Sequence, residues 1–524
     1  MTLTDNANRK AVNPTGKTEF IDTVAYTGLN IGDDYVIVGE FVIKDSGDPL
    51  VENGEKVQGI GSFTAEKHSG TAEVKFEIDV TSLEGKEIVA FETLYNVTGV
   101  PKEKLNTPKD VEENGKKITE HKDPQDDAQT IKIYKPEIGT KAVDKDTTTH
   151  VTNPGKTTIV DSVEYTDIVS NIEYELKAVL MDKATNKPLL VNGKEITNSI
   201  KFTPKHSSGT QEIELSLDAT GLEGKSLVAF EELYIDGKLL AEHKDINDKN
   251  QTVTVPKIAT SAKDSKTLEH ITNADKITII DTVDYEGLDT NVEYELKGVL
   301  MDKSTGKAVL VNNKQVTAIA KFKPKASSGK QEIKFTFDAK GFEGKSLVAF
   351  EELYVNNKLI AQHKDITDKE QTVRVPKIGT TAALQGKEVT DIVKYENLLE
   401  GKTYIVKGYM VNAATGLKLK GSDGETKFTA DKSSGEIKVK LPVSQIDRLG
   451  GKKLVAFEEL FIVTKDGKQV KVAEHKDKND KSQTVEIPST KTPDTGDRLP
   501  ILPFGGFVIA LSVLTIRVRK RIAR

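Results

Sequence analysis

Apolar and polar residues alternate with a period of two along most of the chain. Segments such as ITIIDTVDY (277–285) and KQEIKFTFDA (330–339) place Ile, Val, Phe or Tyr at nearly every second position. This alternation predicts antiparallel strands that bury one face. Clusters of Gly, Asn, Asp and Ser separate the strands at short intervals, as in a β-sandwich. We therefore predict an all-β chain of Ig-like β-sandwich modules.

The strand pattern repeats four times. Copies of one segment, EIVAFETLY, SLVAFEELY (twice) and KLVAFEELF, begin at 87, 226, 346 and 453. A period of this length is a whole domain, so the copies are tandem modules and not solenoid repeats. The predicted modules are 1–136, 137–256, 257–376 and 377–488, followed by a tail at 489–524. They meet at Pro136, Pro256 and Pro376 with almost no linker, which predicts a stiff succession of modules.

The first copy differs from the others in two ways. It lacks a counterpart of the segments PEIGTKA, PKIATSA and PKIGTTA that open the other copies, and Met1 begins no secretory signal. We therefore expect the chain to be the C-terminal part of a longer exported protein. The first copy also carries a charged insertion at 96–117, which we expect to be a long hairpin.

The tail has a different composition. An apolar run, LPILPFGGFVIALSVLTI (499–516), precedes a basic cluster, RVRKRIAR (517–524). This order predicts a transmembrane helix, with 501–516 in the membrane and the basic end in the cytoplasm.

Composition narrows the function classes. The chain is 36% hydrophobic and 30% charged with a net charge of −6, and it has no basic block, so a nucleic-acid partner is not expected. Cysteine is absent, which excludes disulfides and cysteine catalysis.

Four of the 8 histidines keep one spacing: each stands eight residues before a Gln-Thr pair, as in EHKDINDKNQTVTV (242–255). By strand alternation Gln371 shares an inward face with Val373 and Val375, so its amide needs partners. Each copy also has a Glu within an apolar strand, where burial would raise its pKa. A hydroxyl residue follows Asp in an early strand, at Thr23, Ser162 and Thr282.

Three interpretations fit this recurrence. The residues could be satisfied polar groups at strand ends. EHKDxxD could bind a metal, although one histidine per copy is a weak ligand set. Alternatively, the hydroxyl could attack the Gln carbonyl, releasing ammonia and leaving an ester between the first and last strands.

The motifs DTVxY, VAFEELY and EHKDxxDxxQTV resemble the T-Q ester bond domains of Gram-positive surface adhesins, over nearly the whole chain through residue 488. In that family Thr and Gln are joined autocatalytically with help from Glu, His and Asp, without a cofactor or metal. The resemblance implies the following bonds and helpers: Thr23–Gln129 with Glu92 and His121, Ser162–Gln251 with Glu231 and His243, and Thr282–Gln371 with Glu351 and His363. It also implies Asp182 and Asp302 as the helping Asp. In the fourth copy Ile392 and Asn412 replace the expected hydroxyl and Asp, so no cross-link is predicted there.

The sequence KTPDTGD (491–497), followed by the apolar run and the basic cluster, resembles a cell-wall sorting signal, with Thr492 where Leu is usual. The resemblance implies recognition through Pro493, cleavage by sortase between Thr495 and Gly496, and attachment of Thr495 to peptidoglycan. We thus predict the stalk of a cell-wall-anchored, secreted adhesin of a Gram-positive bacterium, made as a membrane-inserted precursor. The alternative is a protein whose modules bind host matrix or glycan directly. A turnover hydrolase is disfavoured, since each of four similar copies keeps a reactive Gln.

Overall fold

A computed structural model describes residues 1–444 and 446–489, which form four β-sandwich modules in succession. Each module packs a three-stranded antiparallel sheet against a larger sheet of five or six strands. The prediction of tandem β-sandwich modules is confirmed.

Module 1 has two sheets, with the strand orders β1-β3-β8 and β2-β11-β9-β4-β7. Strand β10 pairs with β9 at the second sheet, and β5 and β6 form a separate hairpin. Its strands are β1 (Thr2–Asp5), β2 (Ala11–Val12), β3 (Lys17–Thr27), β4 (Asp34–Ile43), β5 (Val51–Glu52), β6 (Glu55–Lys56), β7 (Gln58–Thr64), β8 (Ser69–Asp79), β9 (Glu87–Asn96), β10 (Lys116–His121) and β11 (Thr130–Ile133). Short 3₁₀ turns lie at Thr81–Leu83, Lys102–Lys104 and Asp127–Gln129.

The insertion in module 1 connects the antiparallel strands β9 and β10, so the expected hairpin is present, but its loop contains a helix. Helix α1 (Pro108–Asn114) starts with a capping box in which Thr107 and Asp110 exchange side-chain-to-backbone hydrogen bonds. Val111 is fully buried in an apolar cluster with Val36 and Tyr95. The helix therefore covers the outer face of the larger sheet.

Module 2 has the sheets β12-β13-β19 and β15-β14-β20-β21, with β18 beside β14 and β22 beside β20. Its strands are β12 (Glu137–Asp144), β13 (Lys156–Thr166), β14 (Tyr174–Asp182), β15 (Lys187–Pro188), β16 (Leu190–Val191), β17 (Lys194–Glu195), β18 (Thr197–Phe202), β19 (Gly209–Asp218), β20 (Ser226–Ile235), β21 (Lys238–His243) and β22 (Thr252–Thr254).

Module 3 repeats this order strand for strand. Its strands are β23 (Lys257–Asp264), β24 (Lys276–Glu286), β25 (Tyr294–Asp302), β26 (Lys307–Ala308), β27 (Leu310–Val311), β28 (Lys314–Gln315), β29 (Thr317–Phe322), β30 (Gly329–Asp338), β31 (Ser346–Val355), β32 (Lys358–His363) and β33 (Thr372–Arg374).

In its described residues, module 4 keeps the same plan but lacks the two-stranded hairpin that β16 and β17 form in module 2 and β27 and β28 form in module 3. Its strands are β34 (Lys377–Gln385), β35 (Glu388–Glu396), β36 (Thr403–Asn412), β37 (Gly424–Thr429), β38 (Gly435–Pro442), β39 (Lys453–Val463), β40 (Gln469–His475) and β41 (Thr484–Glu486), with a 3₁₀ turn at Ile446–Arg448.

The alternation in sequence becomes the alternation of burial. In β13, Ile159 and Val163 are at most 1% exposed, and they pack on Leu180 and Leu227 of the facing sheet. Each such side chain contributes roughly 1.5–3 kcal/mol when it leaves water. This core fixes which face of each strand turns inward, because a slip of one residue would expose it.

The modules join without free linkers. Pro136, Pro256 and Pro376 are buried at the three junctions. Side chains also bridge neighbouring modules: Asn13 donates to the Tyr174 hydroxyl (2.8 Å), Thr254 to the carbonyl of Gly287 (2.5 Å) and Asn397 to the carbonyl of Lys345 (2.7 Å).

Within residues 1–444 and 446–489, no helix is long and apolar enough to cross a membrane. The predicted transmembrane helix at 501–516 and the predicted sorting residues Pro493, Thr495 and Gly496 lie outside the described residues.

Candidate cross-link site

The His–Gln spacing follows from how β20 is paired. On one side β20 pairs with β14; on the other it pairs first with β22 and then with β21. His243 is opposite Glu231, and the amide of Ala229 donates to the carbonyl of Gln251 (3.2 Å). Because Ala229 and Glu231 are two residues apart, they share one face of the strand. The loop between His243 and Gln251 therefore brings both side chains to Glu231.

Asp248 organises that loop. One carboxylate oxygen lies 3.0 Å from His243 Nε2, and the other accepts from the amide of Asn250 (2.7 Å). Its carbonyl accepts from the hydroxyl of Thr252 (2.6 Å). One aspartate thus connects the histidine to the turn that precedes Gln251. Asp126, Asp368 and Asp480 make the same histidine and turn contacts in the other modules.

The first strand of the module supplies a hydroxyl. The amide of Ala142 donates to the carbonyl of Asn250 (2.9 Å), which holds β12 against the turn. Thr140, two residues earlier on the same face, accepts a hydrogen bond from Nε2 of Gln251, and the same nitrogen donates to Glu231 Oε2. In module 3, Thr260 and Gln371 make the equivalent contacts, and Thr260 Oγ1 also donates to Glu351 Oε2 (3.2 Å).

A buried aspartate faces each of these glutamates. Asp161 of β13 and Glu231 are both 0% exposed. Burial, then the neighbouring Asp161 carboxyl, raises the pKa of Glu231 to about 11, and burial also raises the pKa of Asp161. Burial of two neighbouring carboxyls in an apolar interior thus favours the protonated form of each.

The other modules contain the same carboxyl pair. Burial, followed by the partner Asp, raises the pKa of Glu92 and of Glu458 to about 10, and raises the pKa of Glu351 well above its usual range. The facing aspartates are Asp22, Asp281 and Asp391, whose pKa values are also raised by burial.

The structure does not bring Thr23, Ser162 or Thr282 to a Gln, which corrects the sequence-based choice of hydroxyl. Ser162 pairs across to Lys141 and lies between the buried Asp161 and Val163. Adjacent residues of a strand point to opposite faces, so the inward Asp161 sends Ser162 outward. Thr23 and Thr282 follow Asp22 and Asp281 in the same way.

Asp182 and Asp302 also lie away from the site, which corrects the choice of Asp. Each ends a strand at the far side of the sheet, where it binds a lysine, Lys225 (2.5 Å) or Lys345 (2.7 Å). Each also accepts from a backbone amide two residues later. They stabilise a turn, whereas Asp161 and Asp281 are the aspartates at the site.

Module 4 contains every residue of the site: the threonine, the Gln, the Glu, the His and the buried Asp. Nε2 of Gln483 donates to Thr380 Oγ1 and to Glu458 Oε2 (2.6 Å), and Thr380 Oγ1 donates to Glu458 Oε2 (3.2 Å). His475 is opposite Glu458. Ile392 faces outward beside the buried Asp391, so its lack of a hydroxyl does not affect the site. The sequence-based reason for leaving module 4 without a cross-link therefore fails.

Module 1 has the Gln, Glu, His and buried Asp of the site but not the threonine hydroxyl. Gln129 donates to Asp22 Oδ1 (3.0 Å), and Glu92 is opposite His121. Met1 stands four residues before Asp5, as Thr140 stands four residues before Asp144, and the two aspartates begin the same turn. A methionine therefore occupies the position of the threonine.

A signal for the right hydroxyl was present in the sequence. The segments PEIGTKA, PKIATSA and PKIGTTA carry Thr140, Thr260 and Thr380 at one position, whereas the residue after the early-strand Asp varies among Thr, Ser and Ile. Across modules 2 to 4, the residues that do not vary are the threonine of the first strand and the Asp of the early strand.

The geometry permits an acyl transfer to a hydroxyl. A threonine oxygen and a carboxyl of raised pKa both contact the carboxamide of a fully buried Gln. The attacking group, the amide and a proton carrier are thus already oriented, which removes much of the entropic barrier. In the described residues no group of three His, Asp or Glu side chains is arranged to hold a metal ion.

Fold and site together define a class: β-sandwich modules whose first and last strands meet through a buried Thr and Gln beside a carboxyl pair. The family model of the T-Q ester bond containing domain matches residues 2–133, 136–255, 256–375 and 377–487. The chain belongs to this family and contains four of its domains. A comparison with curated proteins found no match.

Solved structures were also compared with the chain. A Mobiluncus mulieris adhesin containing intramolecular disulfide, isopeptide and ester bond cross-links is 11% identical, covering 48% of this chain and 90% of its own, with a TM-score of 0.22. A tetra-tandem repeat from the extending region of a large adhesion protein is 11% identical over 90% and 97%, with a TM-score of 0.25. The C-terminal domain of the Streptococcus agalactiae polypeptide BspA is 9% identical over 46% and 97%, with a TM-score of 0.27.

Proposed function

We propose that modules 2, 3 and 4 each form an internal ester bond, joining Thr140 to Gln251, Thr260 to Gln371 and Thr380 to Gln483. The observation that carries this proposal is the contact of one Gln amide with both a threonine hydroxyl and a buried glutamate in all three modules.

The carboxyl pair supplies the proton transfers. Thr260 Oγ1 attacks Cδ of Gln371 while its proton passes to Glu351 Oε2, which it already contacts at 3.2 Å. At the same time Glu351 passes the proton that it already carries to the neighbouring carboxylate of Asp281. Glu351 then protonates Nε2, the Cδ–Nε2 bond breaks, and ammonia leaves. Asp281 returns its proton to Glu351, and the threonine proton leaves with the ammonia, so the carboxyl pair is restored, the reaction occurs once per module and no cofactor is needed.

The bond ties the first strand of a module to its last. Thr260 and Gln371 are 111 residues apart, and closing a loop of that length stabilises the fold by about 5 kcal/mol on the chain-entropy model. Tension along the chain enters module 3 at its first strand, β23, and leaves after its last strand, β33. A covalent bond between these strands carries that load, which a chain without cysteine cannot do through disulfides.

The chain acts, on this proposal, as the stalk of an adhesin-type surface protein, and the modules do not turn over a substrate. Membership of the family through four tandem domains and the buried junctions between them support this role. The motif at 491–497 and the apolar run after it support cell-wall anchoring by sortase through Thr495, with 501–516 holding the precursor in the membrane. Incubation of the chain with a class A sortase and an amine acceptor tests the anchor. Wild type should be cut after Thr495 and a Thr495→Ala variant should not; no cleavage of wild type would refute the anchor.

Intact-mass spectrometry of the whole chain tests the ester bonds. Three ammonia losses are expected, and each of Thr140→Val, Thr260→Val and Thr380→Val should restore one. The matched controls, Ser162→Ala and Thr282→Val, remove the outward hydroxyls and should leave all three losses. A chain of unmodified mass would mean that the Thr–Gln contacts are only structural.

A further inference from the structure

The loop between the first two strands of modules 2 and 3 buries an apolar residue in the next module. In module 3 this docking loop (265–275) contains Ile271, which is 0% exposed. Among the described residues, Ile271 belongs to the core of module 4 and not to that of its own module. In module 2 the docking loop (145–155) contains Val151, also 0% exposed, which belongs to the core of module 3. Each docking loop therefore keeps its apolar residue out of water only while the following module is folded.

Polar contacts hold the docking loops against the same neighbours. The carboxylate of Glu269 pairs with Lys402 of module 4 at 2.7 Å. In the preceding junction, Asn356 of module 3 donates to the carbonyl of Thr147 in the docking loop of module 2 (2.8 Å). The following module thus fixes both the apolar residue and the flank of each docking loop.

Within module 3, the docking loop connects the two strands that carry Thr260 and Gln371. Asp264, the last residue of the first strand, accepts from the hydroxyl of Thr272 (2.8 Å). The amide of Thr272 then donates to the carbonyl of Arg374 in the last strand (2.9 Å). An ordered docking loop therefore holds the ends of both strands in place.

His270 extends this brace to the reacting residues. Its Nδ1 lies 2.8 Å from the carbonyl oxygen of Ala262, two residues after Thr260 in the first strand. Its Nε2 lies 3.4 Å from the carboxylate of Glu370, the residue before Gln371. The amide of Ala262 donates to the carbonyl of Glu370 (2.9 Å), so the three residues form one contact beside the site.

Module 4 holds its site in another way. Its first two strands are joined through Gly386 and Lys387 alone, and Gln385 pairs directly with Glu388. A tight turn replaces the docking loop, and the strand that carries the threonine is fixed by its own neighbour.

We propose that folding of the following module controls ester formation in modules 2 and 3. Docking of module 4 orders the loop of module 3 and so brings Thr260 to Gln371; docking of module 3 does the same for Thr140 and Gln251. Because an amide is a poor electrophile, the reaction depends on this fixed geometry. The inference rests on the proposed ester bonds and names their regulation. Module 4, with its tight turn, forms its bond without a docked neighbour.

The first arm of the test unfolds one module of the whole chain. Val439 is 0% exposed in the core of module 4, where Val439→Asp places an unpaired charge. The chain is made by cell-free synthesis, and samples are digested at intervals to follow the cross-linked peptide of each module. The bond of module 3 should form about tenfold more slowly or worse, while module 2 keeps its rate as the internal reference.

Hydrogen exchange on the same chain checks that module 4 is unfolded and module 3 is folded. The matched control is Lys438→Asp, at the exposed neighbouring position of the same strand, which should leave all rates unchanged. A module 3 that keeps the wild-type rate beside an unfolded module 4 would overturn the inference.

The second arm removes the docked side chain while every module stays folded. Ile271→Ala should slow the bond of module 3 and spare that of module 2, whereas Val151→Ala should slow the bond of module 2 and spare that of module 3. A purely structural role predicts a different result for Ile271→Ala, namely faster hydrogen exchange in module 4 with an unchanged bond rate in module 3. That result would refute the proposed control.

The wild-type chain separates this inference from the proposed function. If modules 2 to 4 lose no ammonia, the proposed function fails and this inference fails with it. If all three lose ammonia and the rate in module 3 is indifferent to Val439→Asp and Ile271→Ala, only this inference fails.

Discussion

Asp248 lies 3.0 Å from Nε2 of His243 through one carboxylate oxygen and caps the turn before Gln251 through the other. The side chain therefore couples the orientation of the histidine to the position of the glutamine. This relationship accounts for the eight-residue spacing that recurs four times in the sequence, because the loop must return Gln to the glutamate opposite the histidine.

Removing this aspartate should slow the cross-link. In Asp368→Ala the turn before Gln371 loses a cap and His363 loses its partner, together about 1–3 kcal/mol of positioning. We expect ester formation in module 3 to slow by about tenfold or more, followed as ammonia loss during refolding of the whole chain. Asp365→Ala is the matched control, since Asp365 caps a different turn of the same loop. Equal rates in the two variants would contradict a positioning role for Asp368.

The two candidate aspartates of module 3 should behave differently. Asp281→Asn removes the proton acceptor beside Glu351, and loss of a general base lowers rates by about 10²–10⁴-fold. Asp302→Asn removes only the contact with the half-exposed Lys345 and should leave the cross-link intact. Peptide mapping of module 3 after expression distinguishes them: the Thr260–Gln371 peptide should be missing only in Asp281→Asn.

Loss of the bond should destabilise one module and spare its neighbours. In Thr260→Val, module 3 lacks the closed loop and should lose about 5 kcal/mol of stability by the chain-entropy model. Hydrogen exchange on the whole chain reads each module separately, which a single melting temperature does not. Faster exchange in module 3 with unchanged exchange in module 2 is the expected result. Unchanged exchange in module 3 would mean that the bond does not restrain the fold.

Without a cross-link, module 4 should become less stable as the pH rises. The pKa of Glu458 is raised from its usual 4.5 to about 10, chiefly by burial and then by Asp391. Between these values the folded carboxyl keeps a proton that the unfolded one has released, so unfolding releases a proton. The free energy of unfolding then falls with pH, by up to about 1.4 kcal/mol per pH unit.

This pH dependence is measured by chemical denaturation of Thr380→Val between pH 5 and pH 9, followed by hydrogen exchange in module 4. Adding Glu458→Gln should flatten the slope. Adding Glu459→Gln should not, because Glu459 lies on the opposite face and pairs with Lys476 at the surface. A slope that Glu458→Gln leaves unchanged would assign the titration to other groups.

Much of the fold could be predicted from local pattern. Alternation in segments such as ITIIDTVDY predicts a strand with Ile277, Ile279 and Val283 inward, and all three are at most 2% exposed. The inward face of Gln371, Val373 and Val375 was also read from alternation and is found in the structure. The helix within the insertion at 96–117 was not predicted, because the few apolar residues that pack the insertion on the sheet, among them Val97 and Val111, stand between charged residues.

Choosing the hydroxyl required the face of each strand. Asp161 and Ser162 are neighbours, so only one of them can point inward, and Ile159, Val163 and Tyr165 show by their spacing that it is Asp161. The spacing of these apolar residues in the sequence thus distinguishes the two faces of the strand. The predicted hydroxyls of Thr23, Ser162 and Thr282 are wrong because each lies on the outward face of its strand, beside an inward Asp.

The sequence by itself determined the strands, the four copies, and the recurring Gln, Glu and His of each module, since these depend on local alternation and internal repetition. Only the tertiary structure decided which hydroxyl meets the glutamine. Thr140 and Gln251 are 111 residues apart, and no local pattern connects them. They meet because the amide of Ala142 bonds to the carbonyl of Asn250 and the sheets close over a common core, so the contact depends on long-range packing.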